Sequence, residues 1–254
     1  LNKWKCYFYS GTTWYAVESD NNVVDGQWYH LASTWDGTTA KLYVNGSVQT
    51  STASISSITY FTVVSAKVGS YYAGNYLNGL IDEVSLFDSA LTASNVTAIY
   101  NSGVPVDLGT DGLNLSPVGW WRMGDNDSGT GTTITDQGSG GNDGTLTNGP
   151  TFSPAVPPEY STQSLDFDGS DDYITIPHNS VFNITGSITI SAWFNLDSNT
   201  QYMTFLAKRA GSSTNFQFYN TLTGDGYDGN LRFYSNDGDV YAGNSHIPTG
   251  SWNH

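Results

Sequence analysis

The sequence predicts an all-β protein built as an antiparallel β-sandwich, and three observations predict it. Apolar and polar residues alternate along most of the chain, as they do in strands with one buried face. Asn-Gly, Asp-Gly and other glycine-rich turns separate these stretches. Only one stretch has a helical pattern. Hydrophobic residues make up 38% of the 254 residues, which is enough apolar surface for a sizeable core.

Strand patterns dominate the first hundred residues. Residues 28–52 are predicted to form consecutive antiparallel strands, because "DGTT" and "NG" supply the turns of tight hairpins. Further strands are predicted at "KCYFYS", "TWYAVES", "FTVVSAKVG" and "LIDEVSLFD".

One short helix is predicted near residues 92–101. Thr92 has the side chain of an N-cap, and Leu91 can pack on the first turn. Gly103 is a stop signal. The predicted apolar stripe consists of Val96, Ile99 and Tyr100. We expect about two turns packed on a sheet.

Residues 104–118 contain Pro, Gly and Asp without a clear period, and they are predicted to be a linker. Strand patterns resume at residue 119. The glycine-rich stretch that follows is predicted to form ordered turns, because "TTITD" and "GTLTNG" interrupt it.

The order of motifs near the start of the sequence occurs again near its end. "RFYSNDGDVYAGNSHIPTGSWNH" repeats "YFYSGTTWYAVESDNNVVDGQWYH", with Phe233 at the position of Phe8 and His254 at that of His30. The sequence therefore predicts that residues 1–103 are the C-terminal half of one domain copy. Residues 119–254 are then the N-terminal two-thirds of the next copy. We expect the missing strands of each copy to lie in a longer parent chain or in a neighbouring molecule.

Five stretches carry a resemblance to a known family. "WYHLASTWDGTTAKLYVNG" (28–46) and "LNGLIDEVSLFDSALTASNVTAIYNSG" (77–103) resemble the latter half of laminin-G-like domains. "GWWRMGD", "SLDFDGSDDYITIP" and "ITISAWFNLD" resemble the first half. The resemblance implies a concanavalin A-like jelly roll, in which two antiparallel sheets pack face to face. These motifs are specific for the fold and only weakly specific for function.

Composition excludes several partners. The chain has 8 Lys and Arg against 23 Asp and Glu, a net charge of −15. Binding to nucleic acid or to an anionic membrane surface requires clustered basic residues, so neither is expected. No stretch approaches 18 apolar residues, so membrane insertion is not expected. The one cysteine, Cys6, cannot form an internal disulfide, and we expect it to pack as a small hydrophobe.

The acidic residues suggest a calcium site. In "LIDEVSLF", strand alternation puts Asp82 on the same face as Leu80, Val84 and Leu86, where a charge needs a partner. The family often has Ca²⁺ at one rim of the sandwich, and a tight turn offers three further carboxylates: Asp168, Asp171 and Asp172. These four residues can share an ion only if the two partial copies meet. The alternatives are that Asp82 only accepts backbone hydrogen bonds, and that the turn is an ordinary one.

A glycine-rich loop suggests a ligand site. Within "GSYYAGNYLNG" (69–79), the candidate ligand-binding residues are Tyr71, Tyr72, Asn75 and Tyr76. Exposed tyrosines can stack on sugars, and an asparagine can hydrogen-bond sugar hydroxyls. The alternative is that these aromatic rings pack back onto the edge of the sandwich.

Enzymatic activity is not expected. Glycosidases of this fold need two carboxylates that flank a sugar bond, and the chain has only three scattered Glu residues. The nearest mimic, Asp82-Glu83, consists of adjacent strand residues whose side chains are expected on opposite faces.

The favoured prediction is a non-enzymatic adhesion or carbohydrate-binding module of a large repetitive protein, extracellular or on a virion surface. The alternative is a structural subunit of a filament, capsid or fibre, assembled head to tail and completed by neighbouring chains. A glycoside hydrolase is a distant third.

Overall fold

The computed structural model describes residues 3–11, 13–58, 65–70, 75–109, 113–158, 160–198, 203–210, 213–220, 232–233 and 240–241. Strands in the first segment are β1 (Trp4–Ser10), β2 (Thr13–Glu18), β3 (Trp28–Trp35), β4 (Thr39–Val44), β5 (Ser47–Ser54), β6 (Ala66–Val68) and β7 (Asn78–Phe87). One helix, α1 (Ala93–Tyr100), is followed by a 3-10 turn, Asn101–Gly103.

After residue 118 the chain is again made of strands. They are β8 (Gly119–Trp121), β9 (Thr133–Ile134), β10 (Gly144–Thr147), β11 (Thr151–Ser153), β12 (Ser164–Asp168), β13 (Tyr173–Ile176), β14 (Ile188–Leu196), β15 (Met203–Ala210), β16 (Ser213–Asn220), β17 (Arg232–Phe233) and β18 (Val240–Tyr241). A second 3-10 turn spans Ser180–Phe182.

The strands form two large antiparallel sheets. Sheet 1 has the order β2-β1-β16-β15-β6-β13-β10-β9. Sheet 2 has the order β11-β12-β7-β14-β3-β4-β5, and β8 also pairs with β7. A separate two-stranded sheet consists of β17 and β18. The predicted all-β, antiparallel sandwich with one short helix is confirmed.

Both large sheets contain strands from both halves of the sequence. In sheet 1, β1 pairs with β16 and β6 pairs with β13 and β15. In sheet 2, β3 pairs with β14, and β7 pairs with β12, β14 and β8. The expectation that missing strands must come from a longer chain or a neighbour is therefore wrong for these strands. Hydrogen bonding and apolar alternation select a strand's neighbours whatever the chain order, so the two segments complete one sandwich in permuted order.

The main core lies between the two sheets. Its largest fully buried side chains include Trp4, Trp35, Trp121, Phe167 and Phe194. Cys6 is fully buried among them, as predicted for a small hydrophobe.

A second apolar cluster covers the outer face of sheet 2. It joins Ala32, Tyr43, Phe87 and Trp120 of the sheet to the helix residues Val96 and Ile99 and to Leu91 and Leu108. Val106, Leu113 and Leu115 pack against it. Residues 104–109 and 113–118 contain no helix or strand, and they pack on the outer face of the sheet through these apolar side chains.

Local sequence signals explain the helix and the hairpin beside it. Thr92 is the N-cap, and its side chain accepts from the backbone of Asn95, whose side chain accepts in return from the backbone of Thr92. Asn101, in the left-handed conformation, caps the other end before Gly103 is reached. Asn45 and Gly46 both have positive φ, as the predicted Asn-Gly turn requires. Among the described residues, no helix is both long and apolar enough to cross a membrane.

Candidate functional site

Three of the predicted metal ligands lie together on one turn. Asp168 ends β12, Asp172 precedes β13, and carboxylate oxygens of Asp168, Asp171 and Asp172 lie within 4.8 Å of one another. Asp168 Oδ1 accepts from the Ser170 backbone at 2.8 Å, and Asp172 Oδ2 accepts from the Asp168 backbone at 3.0 Å. These bonds fix the turn so that its carboxylates converge.

Within the described residues, no Lys, Arg or His side chain forms an ion pair with this turn. The ion pairs found in the described part of the chain lie elsewhere, at Glu18 and at Arg122. Burial raises the pKa of Asp172, and the charges of Asp168, Asp171 and Asp166 raise it further. Burial and the charge of Asp197 likewise raise the pKa of Asp166. The turn therefore favours a bound cation or a retained proton.

The predicted ligand loop begins beside this turn. β7 pairs with β12 so that Asn78 lies opposite Asp168. A β-bridge between Ser70 and Tyr76 closes the base of the loop, and the Leu77 backbone donates to the Gly69 carbonyl at 2.9 Å. Gly69 has φ +83°, and a Cβ on it would lie 2.5 Å from the Phe167 ring. Only glycine fits there, so the loop base packs directly on the strand that carries Asp168.

Two of the four predicted ligand-binding residues belong to this loop base. Asn75 and Tyr76 are half-buried, and the Asn75 carbonyl accepts from the Thr204 backbone at 3.3 Å. Tyr71 and Tyr72 lie outside the described residues. We name the region formed by Asn75, Tyr76, Asn78 and the Asp168–Asp172 turn the acidic rim.

The structure does not bring Asp82 to the acidic rim. Asp82 lies four residues beyond Asn78 on β7, about 13 Å along the strand. It is fully buried, as the sequence predicted. The prediction that it shares a face with Val84 and Leu86 is wrong. Glu83 has φ +50°, and the register of β7 against β14 shifts at this point. This β-bulge leaves Asp82 on the same face as Leu80, while Val84 and Leu86 enter the core on the opposite face.

The bulge also places the Asp82 and Glu83 carboxyl groups in one buried cluster, so the prediction of opposite faces is wrong. Glu83 accepts from Arg122 Nε at 3.0 Å and from Trp120 Nε1 at 2.7 Å. Arg122 Nη2 also contacts Asp125 at 3.4 Å. Asp82 Oδ1 accepts from the Glu83 backbone at 2.8 Å, and Oδ2 has no hydrogen-bond partner within the described residues.

Burial dominates the titration of this cluster. It raises the pKa of Asp82 well above its usual range, and the neighbouring Glu83 charge adds to the effect. It also raises the pKa of Glu83 to about 7, although Arg122 and Trp120 oppose the shift. The two carboxyl groups therefore retain protons at pH values where exposed carboxyl groups are ionised.

The family comparison agrees with this architecture. A family model described as the concanavalin A-like lectin/glucanases superfamily matches residues 1–97 and 168–254, more than half of the chain. The chain belongs to this superfamily. Each matched segment lies within one of the two predicted partial copies. Neither the curated proteins nor the solved structures that were searched gave a match.

The acidic rim of this superfamily member fits a hard divalent cation. Ca²⁺ is bound by carboxylate and carbonyl oxygens in flexible geometry, and three convergent Asp side chains supply such oxygens. Asp168, Asp171 and Asp172 would hold the ion. The Asn148 side chain donates to the Asp171 carbonyl at 2.9 Å and joins the turn to a neighbouring loop.

Sequence reasoning missed the other members of the buried cluster around Asp82 and Glu83. Arg122 gave a usable signal, because an arginine within the apolar run "GWWRM" needs a carboxylate partner. Asp125 gave a weaker one, since it also resembles a turn residue. No residue pattern indicated the bulge at Glu83.

Proposed function

We propose that this chain is a non-enzymatic carbohydrate-binding module that acts in adhesion. One observation carries the proposal: the pairing of β7 with β12 joins a convergent acidic turn to the base of a loop rich in Tyr, Asn and Gly. Sugar hydroxyls are bound by amide and carboxylate oxygens and by Ca²⁺, and sugar rings stack on aromatic side chains. The acidic rim combines these groups on one side of the sandwich.

Calcium would act by neutralising and rigidifying the rim. When bound, it supplies a positive centre that draws oxygen ligands and cancels the repulsion among Asp168, Asp171 and Asp172. The residues of the chain position the groups that would contact the sugar. The Ser70–Tyr76 bridge and the close approach of Gly69 to Phe167 fix the backbone at the base of the loop, which contains Asn75 and Tyr76.

The burial and pairing of Asp82 and Glu83, the carboxyl pair most like that of a glycosidase, support a non-enzymatic function. Asp82 and Glu83 have exposed fractions of 0% and 6%, and Glu83 is paired with Arg122. A glycosidase needs its two carboxyl groups on either side of a bound sugar. We therefore assign this pair to stability and place the proposed ligand site at the acidic rim.

Calcium titration tests the metal part of the proposal. With a Kd on the order of 10⁻⁴ M, about 10 mM Ca²⁺ would raise the free energy of unfolding by about 2.7 kcal/mol. We expect this stabilisation in thermal unfolding of the parent chain and not in Asp172→Asn. Asp88→Asn, an exposed change on another loop, is the matched control and should respond as the parent does. No Ca²⁺ response in the parent would remove calcium from the proposal.

Glycan binding tests the ligand part. We expect saturable binding to at least one class on a glycan array in Ca²⁺ and loss of that binding with a chelator. Tyr76→Ala should abolish binding, while Tyr76→Phe should keep the ring and most of the binding. Each variant must retain the melting temperature of the parent. If the parent binds no glycan in Ca²⁺, the carbohydrate-binding function is refuted.

The setting follows from the proposed function. An adhesion module acts outside the cell, at a cell surface or on a virion, and the acidic composition suits such an exposed position. Antibody labelling of intact cells or particles would detect the protein there. Labelling only after permeabilisation would contradict this placement.

A further inference from the structure

Two hairpins of this chain have the same register. β1 and β2 pair Tyr7 with Ala16 and Phe8 with Tyr15. β17 and β18 pair Arg232 with Tyr241 and Phe233 with Val240. Every residue of the second set lies 225 positions after its counterpart in the first. The repeat that the sequence shows is therefore repeated in the backbone pairing.

The two hairpins also share their apolar pattern. In β1–β2 the inward-facing side chains pack in the main core: Cys6, Phe8, Tyr15 and Val17. The residues 225 positions later are all apolar: Leu231, Phe233, Val240 and Ala242. Three outward positions differ more, since Tyr7, Trp14 and Glu18 correspond to Arg232, Asp239 and Gly243. The second hairpin therefore has apolar residue types at these four positions, while its sequence differs at the three outward ones.

The edge that receives β1–β2 belongs to the other half of the chain. β16 pairs with β15 on one side and with β1 on the other, with Cys6 opposite the fully buried Phe218. β17 begins 12 residues after β16 ends. Twelve residues span up to about 40 Å, which is enough to return a strand antiparallel to β16. Two hairpins of matching pattern can therefore reach one edge.

One residue explains which hairpin occupies the edge. Trp4 is 1% exposed and contacts the rings of Tyr29, Phe194 and Phe205 at centroid distances of 5.2–6.0 Å. The residue 225 positions later is Gly229, which supplies no apolar surface. The first hairpin therefore has an anchor that the second lacks.

We propose that β17–β18 is an alternative occupant of the β16 edge, in competition with β1–β2. When it pairs with β16 in the register of β1, Phe233 takes the place of Phe8 and Arg232 lies opposite Gln217. The hairpin that is displaced fits, by the same register, the β16 edge of a second copy of this chain. Each chain thus has two hairpins for one edge, and exchange links copies together.

Disulfide trapping in the full chain tests the proposal. In a Cys6→Ser background, Gln217→Cys is combined with Tyr7→Cys, to report the β1 pairing, or with Arg232→Cys, to report the β17 pairing. Directly opposed residues of antiparallel strands have Cα atoms about 4.5–5.5 Å apart, which a disulfide can bridge. Gln217→Cys with Tyr241→Cys is the control, because residue 241 would lie two strands from β16, beyond the reach of a disulfide.

Two anchor variants shift the competition in the same direction. Trp4→Gly removes the anchor from β1, and Gly229→Trp gives one to the second hairpin. We expect either change to raise the yield of the 217–232 cross-link several-fold, as a monomer or a dimer, and to lower that of the 7–217 cross-link. The Gly229→Trp variant retains Trp4, so it tests the proposal even if the Trp4→Gly variant fails to fold. A 217–232 yield no higher than the control in both variants would overturn the proposal.

Discussion

At the scale of single residues, one backbone conformation decides the chemistry of a buried cluster. Glu83 adopts positive φ, so its side chain joins that of Asp82 on the outer face of sheet 2. Burial then raises the pKa of both carboxyl groups, that of Glu83 to about 7. A carboxyl group whose pKa is raised by folding binds its proton more tightly in the folded state. Its stabilising contribution is complete below pH 4.5 and is lost as the pH rises through about 7.

The residue-level prediction concerns this pH dependence. We expect the free energy of unfolding to fall between pH 5 and pH 8, by an amount on the order of 3 kcal/mol for a shift of this size. Asp82→Asn removes one of the two coupled carboxyl groups and should flatten the decline. Denaturant unfolding at several pH values measures it, with Asp88→Asn as the exposed control. An unchanged slope in Asp82→Asn would show that the cluster does not set the pH dependence.

The burial of this cluster could be predicted from the sequence, but the faces that its side chains occupy could not. The apolar neighbours of Asp82 predicted its burial, because alternation makes buried and exposed positions distinguishable. The face it occupies could not be predicted, because a single inserted residue reverses the alternation and any residue type can occupy the insertion. The acidic turn at Asp168 was predictable from its Asp-Gly sequence. Its position beside Asn78 depends on a pairing between distant strands.

At the scale of secondary-structure elements, the β4–β5 hairpin and the helix hold each other in place. Gly46 has φ +73°, and a Cβ there would lie 2.9 Å from the Tyr100 ring. Thr97 of the helix donates to the Gly46 carbonyl at 3.1 Å. The Asn-Gly pair was predictable as a turn, but the close approach of the helix was not, because it is a tertiary contact.

Gly46 and Gly26 have the same φ but differ in how closely other residues approach them. Gly26 also has φ +73°, but no atom lies within 4 Å of a Cβ placed there. We expect Gly26→Ala to cost about 1 kcal/mol of stability, from backbone strain alone. Gly46→Ala should cost a further 1–3 kcal/mol, roughly, because Tyr100 must move. Chemical denaturation measures both, and equal losses would mean that the helix does not press on the turn.

At the scale of the whole molecule, the two sequence halves behave as one packed unit. Trp4 of β1, in the first half, contacts the rings of Phe194 of β14 and Phe205 of β15, in the second half, at centroid distances of 6.0 Å and 5.2 Å. Similar contacts between the halves fill the core that both sheets enclose. The sequence predicted two partial copies and the strands of each. It could not predict that they combine within one chain, because strand partners across such separations leave no local pattern.

We predict that a substitution that destabilises one half destabilises the other half equally. Phe194→Ala should lower the free energy of unfolding by about 3–5 kcal/mol. We expect amide hydrogen exchange in β4, which lies in the first half, to accelerate by the same factor as in β14. Val48→Ala, at a position 52% exposed, is the surface control. Faster exchange confined to residues 119–220 would show that the halves unfold separately.

The connection between the halves has a practical consequence. The described residues of this connection, 104–109 and 113–118, pack on sheet 2 but contribute no strand to either large sheet. A break in this connection would leave two polypeptides, one with β1–β7 and the other with β8–β18, and neither with a complete core. Such a pair is the starting material for a split reporter, in which two fragments fused to separate proteins regain a fold only when those proteins meet.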